Sequence, residues 1–137
     1  EALFQATRVK RYLEEREAYD ERMREIYYGM AQELEYVDDV YCVKAPKSAL
    51  EIFEEARNQH SCLARYVEDV MEGECIILFM RKTANPNASL ITIEIRGDII
   101  FQALGTCNRK LEQKEEEWLE KYAKKKKLVT ELEIPFE

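Results

Sequence analysis

The chain has 137 residues, a formal net charge of −7 at pH 7, 46% hydrophobic and 36% charged side chains, and few glycines or prolines. That length suits one domain burying roughly 68% of its unfolded surface. The acidic balance argues against a module that grips duplex DNA by neutralising phosphates, which needs a concentrated positive surface. No apolar run approaches the roughly 18 residues of a membrane span, and the opening residues are not a signal peptide. The reading is a soluble cytoplasmic protein with no membrane contact. Because the chain starts at Glu1, we expect a piece of a longer protein, with EALFQ as an ordinary helical start.

From Thr7 to Leu34, apolar positions recur at Val9, Leu13, Met23, Ile26, Tyr27, Met30 and Leu34, mostly in steps of three or four, which predicts one long amphipathic helix. The stripe lapses around Glu14 to Ala18, so part of this helix is expected to meet a protein partner or an upstream region of the parent chain. Asp39 to Lys44 reads as a short strand, stopped by Pro46. Ser48 and Glu51 have capping-box spacing, so a helix begins there and either runs through His60 or breaks near Asn58. A second helical segment carries Cys62, Tyr66, Val67, Val70 and Met71 toward a stop at Gly73. Strands follow over 74–82, 89–96 and 99–104, separated by TANPNA and by Gly97-Asp98, which makes an antiparallel meander the simplest pairing. Leu111, Trp118, Leu119 and Tyr122 mark a last helix ending in Lys124 to Lys127. The expected fold is therefore α+β, with a long N-terminal helix, a central three-stranded antiparallel β-meander packed with helices, and a C-terminal helix. Its divisions are 1–36 for the N-terminal helix, 37–126 for the core and 127–137 for an extended tail, either an edge strand or a disordered end.

The four cysteines form no CxxC pair and there is one histidine, so neither a metal nor a cofactor is expected. Cys75 alternates with Ile77 and Phe79 and reads as a buried hydrophobe. Cys62 is a candidate nucleophile where a helix starts at Ser61, because first-turn amides favour thiolate. A partnership with His60 is disfavoured, since positions i and i+2 do not face each other on a helix. Arg81, Thr92, Glu94 and Gln102 interrupt otherwise apolar strands, and the hairpin register decides which of them meet. A two-residue turn at Gly97-Asp98 places Phe101 opposite Glu94 and sends Gln102 to the other face. A three-residue loop gathers Thr92, Glu94 and Gln102 on one face. Asn108 reads as a helix N-cap or a ligand contact, with Arg109 beside it.

Taken in order, Cys62-x3-Tyr66, Arg81 at the end of an apolar strand, Thr92-x-Glu94, Gln102-x2-Gly105-x2-Asn108 and a late Trp118 resemble the PcfJ-like family, and KAPKSALEIFEEA is similar to its segment before the cysteine. The family's histidine tends to sit directly before the cysteine, whereas Ser61 intervenes here. The resemblance implies an association with conjugative plasmids, integrative elements and phages of bacteria. The leading expectation is an accessory protein of a mobile genetic element acting through protein contacts, or through nucleic-acid contacts, which the net charge does not favour. The rival is an enzyme with Cys62 as nucleophile, Arg81 as anion binder, Glu94 as acid or base and Gln102 beside them, and with Tyr66, Thr92, Asn108 and Arg109 as binding residues. A third expectation is a regulator or inhibitor of host machinery working through the acidic surface.

Overall fold

A computed structural model of the chain describes residues 2–61 and 63–130, with side chains from residue 6 onward. The expected meander is its centre: β3 (Ile76–Lys82), β4 (Ile91–Arg96) and β5 (Ile99–Leu104) pair antiparallel in sequence. Three strands undercount the sheet, however. β1 (Tyr36–Val37) and β2 (Tyr41–Lys44) extend it antiparallel beyond β3, and β6 (Val129–Thr130) pairs parallel with β5, giving one six-stranded mixed sheet in the order β1-β2-β3-β4-β5-β6. β1 and β6 have two residues each, too few for an alternating pattern to register in a sequence. The tail reaches β6 and then passes outside the described residues.

The single long N-terminal helix is also corrected. Glu15, at φ −120° and ψ 29°, leaves helical geometry and separates α1 (Ala2–Glu14) from α2 (Arg16–Arg22), where the apolar stripe lapses. The chain then continues through a π-helical stretch, Met23–Tyr28, the single turn α3 (Gly29–Ala31) and a 3-10 turn, Gln32–Leu34. Its buried side chains are Tyr19, Met23, Tyr27 and Ala31, each four residues after the last. An α-helix of 3.6 residues per turn would carry such a series round its surface. The wider π turns, with i→i+5 bonds, take up the excess and keep all four against the core. Of the expected stripe, Met23 and Tyr27 are buried, whereas Leu13 and Met30 are 61% and 41% exposed.

α4 (Ala49–Gln59) begins as its sequence predicts, with the Ser48 hydroxyl accepting the Glu51 N–H. It ends at His60, exposed and left-handed at φ 51°, where the Ser61 N–H bonds back to the Ala56 carbonyl in a Schellman closure. A 3-10 turn, Leu63–Tyr66, leads into α5 (Val67–Met71), and Gly73 turns the chain at φ 77°. α6 (Gln113–Lys125) starts later than Asn108, with a capping box between Glu112 and Glu115, so Asn108 is not its N-cap. No helix among the described residues is long and apolar enough to cross a membrane.

Strand alternation sorts the sheet into two faces. One carries Tyr41, Val43, Leu78, Met80, Ile91, Ile93 and Ile95, all buried, and α6 covers it with Trp118 edge-on to Tyr41. The other carries Ile77, Phe79, Arg81, Thr92 and Glu94. α4 lies over this second face, and there the polar residues gather.

Candidate ligand-binding cleft

α4 reaches the sheet with Ile52, Glu55, Ala56 and Gln59, the i, i+3, i+4, i+7 spacing of one helix face. All four are at most 2% exposed. Two of them are polar, and a buried polar group costs free energy unless it is hydrogen-bonded. Glu55 meets that demand completely. Its Oε1 accepts from Arg81 Nη2 at 2.5 Å and from the Ser89 hydroxyl at 2.6 Å, and its Oε2 accepts from the Thr92 hydroxyl at 3.3 Å. Arg81 also donates to the Pro86 carbonyl, and its guanidinium lies 4.8 Å from the centre of the Phe79 ring.

Gln59 and Glu94 are satisfied on one side only. The Thr106 hydroxyl donates to Gln59 Oε1 at 2.8 Å, which leaves Nε2 buried with no hydrogen-bond partner among the described residues. Arg96 Nε donates to Glu94 Oε2 at 2.6 Å, and Oε1 of this 4%-exposed carboxylate likewise lacks a partner there. Hydrogen bonding to Glu94, opposed by partial burial, holds the Arg96 guanidinium more firmly protonated than usual. Both one-sided residues line the same cavity of about 210 Å³, with Tyr66, Thr92, Gln102 and Asn108 around them. The walls include the apolar side chains of Leu63, Ile77 and Leu104. A larger hollow of about 440 Å³ beside Trp118 and Lys121 is lined by none of the buried unpartnered atoms.

Gln102 joins Glu94 by a route that neither simple register foresees. The turn is the two-residue Gly97-Asp98, so Arg96 faces Ile99 and Ile95 faces Ile100. The next pair is Glu94 with Gln102, because Phe101 is bulged out of the ladder. A bulge sets two residues of one strand against one of its partner and re-aims the side chains beyond it. Phe101 and Gln102 are accordingly both exposed in succession, and Thr92 then faces Leu104.

The structure thus brings together Tyr66, Thr92, Glu94, Gln102 and Asn108 of the residues singled out from sequence, with Gly105 beside them. Cys62 lies outside the described residues. Arg81 shares the sheet face but is held in the Glu55 cluster, and Thr92 belongs to both groups. Arg109 forms a two-pronged pair with Glu115, Nη1 to Oε1 and Nη2 to Oε2, each at 3.0 Å. Burial alone would raise the Glu115 carboxyl, but Arg109 and the Glu112 N–H hold it below its usual value. Glu55 and Gln59 are the residues that sequence reasoning missed. Their signal was present: both fall in phase with Ile52 and Ala56, on the face that should be apolar.

In chemical terms the cleft offers an amide N–H donor and a carboxylate acceptor from its interior, with Arg65 and neutral polar side chains around them. Among the described residues no group of three or more His, Cys, Asp or Glu side chains is placed to hold a metal ion. The Cys75 thiol is pushed up to about 12, chiefly by burial, and is not a nucleophile near neutral pH.

Comparison with known proteins gives one finding. No curated protein and no solved structure matches the chain at a significant level. The family model for PcfJ-like protein matches residues 4–119, which includes the cleft and the Glu55 cluster, and the chain therefore belongs to the PcfJ-like family.

Proposed function

We propose that this chain is an accessory protein of a mobile genetic element that works by holding a small polar ligand in the cleft between the end of α4 and strands β4 and β5. One observation carries the reading: Gln59 Nε2 and Glu94 Oε1, a donor and an acceptor, are both buried with no hydrogen-bond partner among the described residues, and both residues line one cavity. An unmet buried donor or acceptor costs about 1–3 kcal/mol, and a ligand offering the reciprocal groups recovers that cost on binding. The accessory role follows the family's association with mobile elements. Binding is favoured over catalysis because Arg81, the anion binder of the enzyme reading, is engaged by Glu55.

Differential scanning fluorimetry with free amino acids, aliphatic amines, simple amides and nucleosides tests this. A ligand at 100 times its Kd stabilises a protein by about 2.7 kcal/mol, which corresponds to roughly 10 °C for a chain of this size. The reading expects at least one probe class to raise Tm, and Gln59→Met to abolish the rise. No rise with any class, together with a Gln59→Met variant more stable than the parent, would show that the unpaired groups are only a packing defect.

A further inference from the structure

The chemistry of the cavity narrows what it takes. Resting on the cleft reading above, we infer that its ligand is a nucleobase, bound by its hydrogen-bonding edge with its ring faces against apolar side chains. The polar groups are few and lie inside. Gln59 presents its Nε2 as a donor, with the Thr106 hydroxyl donating to its oxygen. Glu94 accepts through Oε1, fixed because Arg96 occupies Oε2. A ligand satisfying both must carry an acceptor and an N–H donor. A nucleobase has both on one edge, either as an exocyclic amino group beside a ring nitrogen or as an imide N–H beside a carbonyl.

The walls select against most alternatives. An alkylamine has no acceptor for Gln59 Nε2, and a sugar or a zwitterionic amino acid would leave the apolar surfaces of Leu63, Ile77 and Leu104 poorly matched, whereas a heterocycle presents two apolar faces and a polar rim. Size agrees: about 210 Å³ is room for roughly seven water-sized groups at about 30 Å³ each, the scale of one substituted ring system and well short of a whole nucleotide. Sugar and phosphate would then stay at the mouth. Arg65 lines that mouth, with its guanidinium 5.1 Å from the centre of the Tyr66 ring. Base recognition of this kind does not depend on net charge, so an overall charge of −7 is no obstacle to it, as it is to duplex gripping. The base has two sources, a free nucleoside or an unpaired position in a single strand, and the shared chemistry is the edge.

Ligand-observed saturation-transfer NMR on the chain separates the outcomes. The probes are the four ribonucleosides, a short mixed-sequence single strand, and two non-heterocyclic controls, glutamine and butylamine. We expect transfer to the base protons of at least one nucleoside, and affinity at least tenfold weaker in both Glu94→Gln and Gln59→Met. Glu94→Gln keeps the shape and an acceptor for Arg96, so retained folding is checked by its circular dichroism spectrum. Tighter binding of the single strand, weakening with salt, would assign the source to a strand, and equal binding would assign it to the free nucleoside. Binding of glutamine or butylamine in place of any nucleoside would overturn the inference and leave the cleft reading standing. No binding by any probe would overturn both, and so would nucleoside binding unaffected by either substitution.

Discussion

Glu55 and Glu94 lie on the same side of the same sheet, one reaching it from α4 and the other rooted in β4, and both are almost wholly buried at 1% and 4% exposure. Glu55 has three donors on its two oxygens, and Glu94 has one donor on one oxygen. Burial is therefore the same while completion differs. A closed carboxylate is a clamp: it ties α4 to β3 and β4 through Arg81, Ser89 and Thr92. An open one keeps an unused hydrogen-bonding capacity, and Gln59 holds a second in the lining of the same cavity. Thr92, bonded to Glu55 and lining the cleft, is the wall shared by the two groups.

Substitution should separate the two roles, and the largest effect belongs to the clamp. Glu55→Gln removes the charge opposite Arg81, which is itself only 13% exposed, and breaking a buried pair from one side costs about 3–5 kcal/mol. Urea denaturation should show that loss. A change under about 1 kcal/mol, the scale of exposed pairs, would mean that the Glu55 cluster is not a clamp.

Glu115, 2% exposed, is the third buried carboxylate among the described residues and is closed in the manner of Glu55. Its folded pKa is held below 4.5. The stability it contributes is therefore complete above the unfolded value and lost as pH falls through the folded one. Denaturation midpoints should accordingly fall from neutral pH into the range below 4.5. Glu115→Gln should start lower and fall less, so that the two curves converge in acid. Parallel curves would remove Glu115 from the group of closed carboxylates.

Glu94→Gln should cost least of the three, about 1 kcal/mol, because an amide oxygen still accepts from Arg96 and the second oxygen had no bond to lose. Equal costs for Glu55→Gln and Glu94→Gln would dissolve the comparison. A smaller effect still is expected for deletion of Phe101. Glu94 with Gln102 and Ile93 with Ala103 are already paired across the bulge, so the shortened strand should keep both pairs in a regular ladder. Cross-strand nuclear Overhauser effects between residues 94 and 102 would report it.

The meander was legible because its strands are long enough to alternate and are bounded by Gly73, TANPNA and Gly97-Asp98. The start of α4 was legible because Ser48 and Glu51 form a local motif. The break at Glu15 left a trace in the lapsed stripe, but the four-residue spacing of Tyr19, Met23, Tyr27 and Ala31 reads as an α-helix unless a π-helical stretch is anticipated. The bulge at Phe101 has no local signature, since the residue that leaves the ladder is chosen by pairing across the sheet. That one residue decides whether Gln102 meets Glu94. Turn length alone, the variable considered in the sequence, set Phe101 opposite Glu94 for a two-residue turn and Thr92 opposite Gln102 for a three-residue loop. The cleft was half legible for a related reason: its strand residues stood out as polar among apolar neighbours, whereas Gln59 on α4 looked like one more polar side chain of a charged helix.

The most direct test tracks the side-chain amide of Gln59. In a ¹⁵N-¹H correlation spectrum its Nε2 protons give their own pair of peaks, assigned by their loss in Gln59→Met. Titration with the nucleoside of highest affinity should move those peaks as the donor gains its acceptor, in step with the backbone amides of Glu94 and Gln102, and Glu94→Gln should weaken the response at least tenfold. Saturable binding that leaves the Gln59 amide peaks in place would contradict the account, because the donor assigned to the ligand would then take no part in holding it.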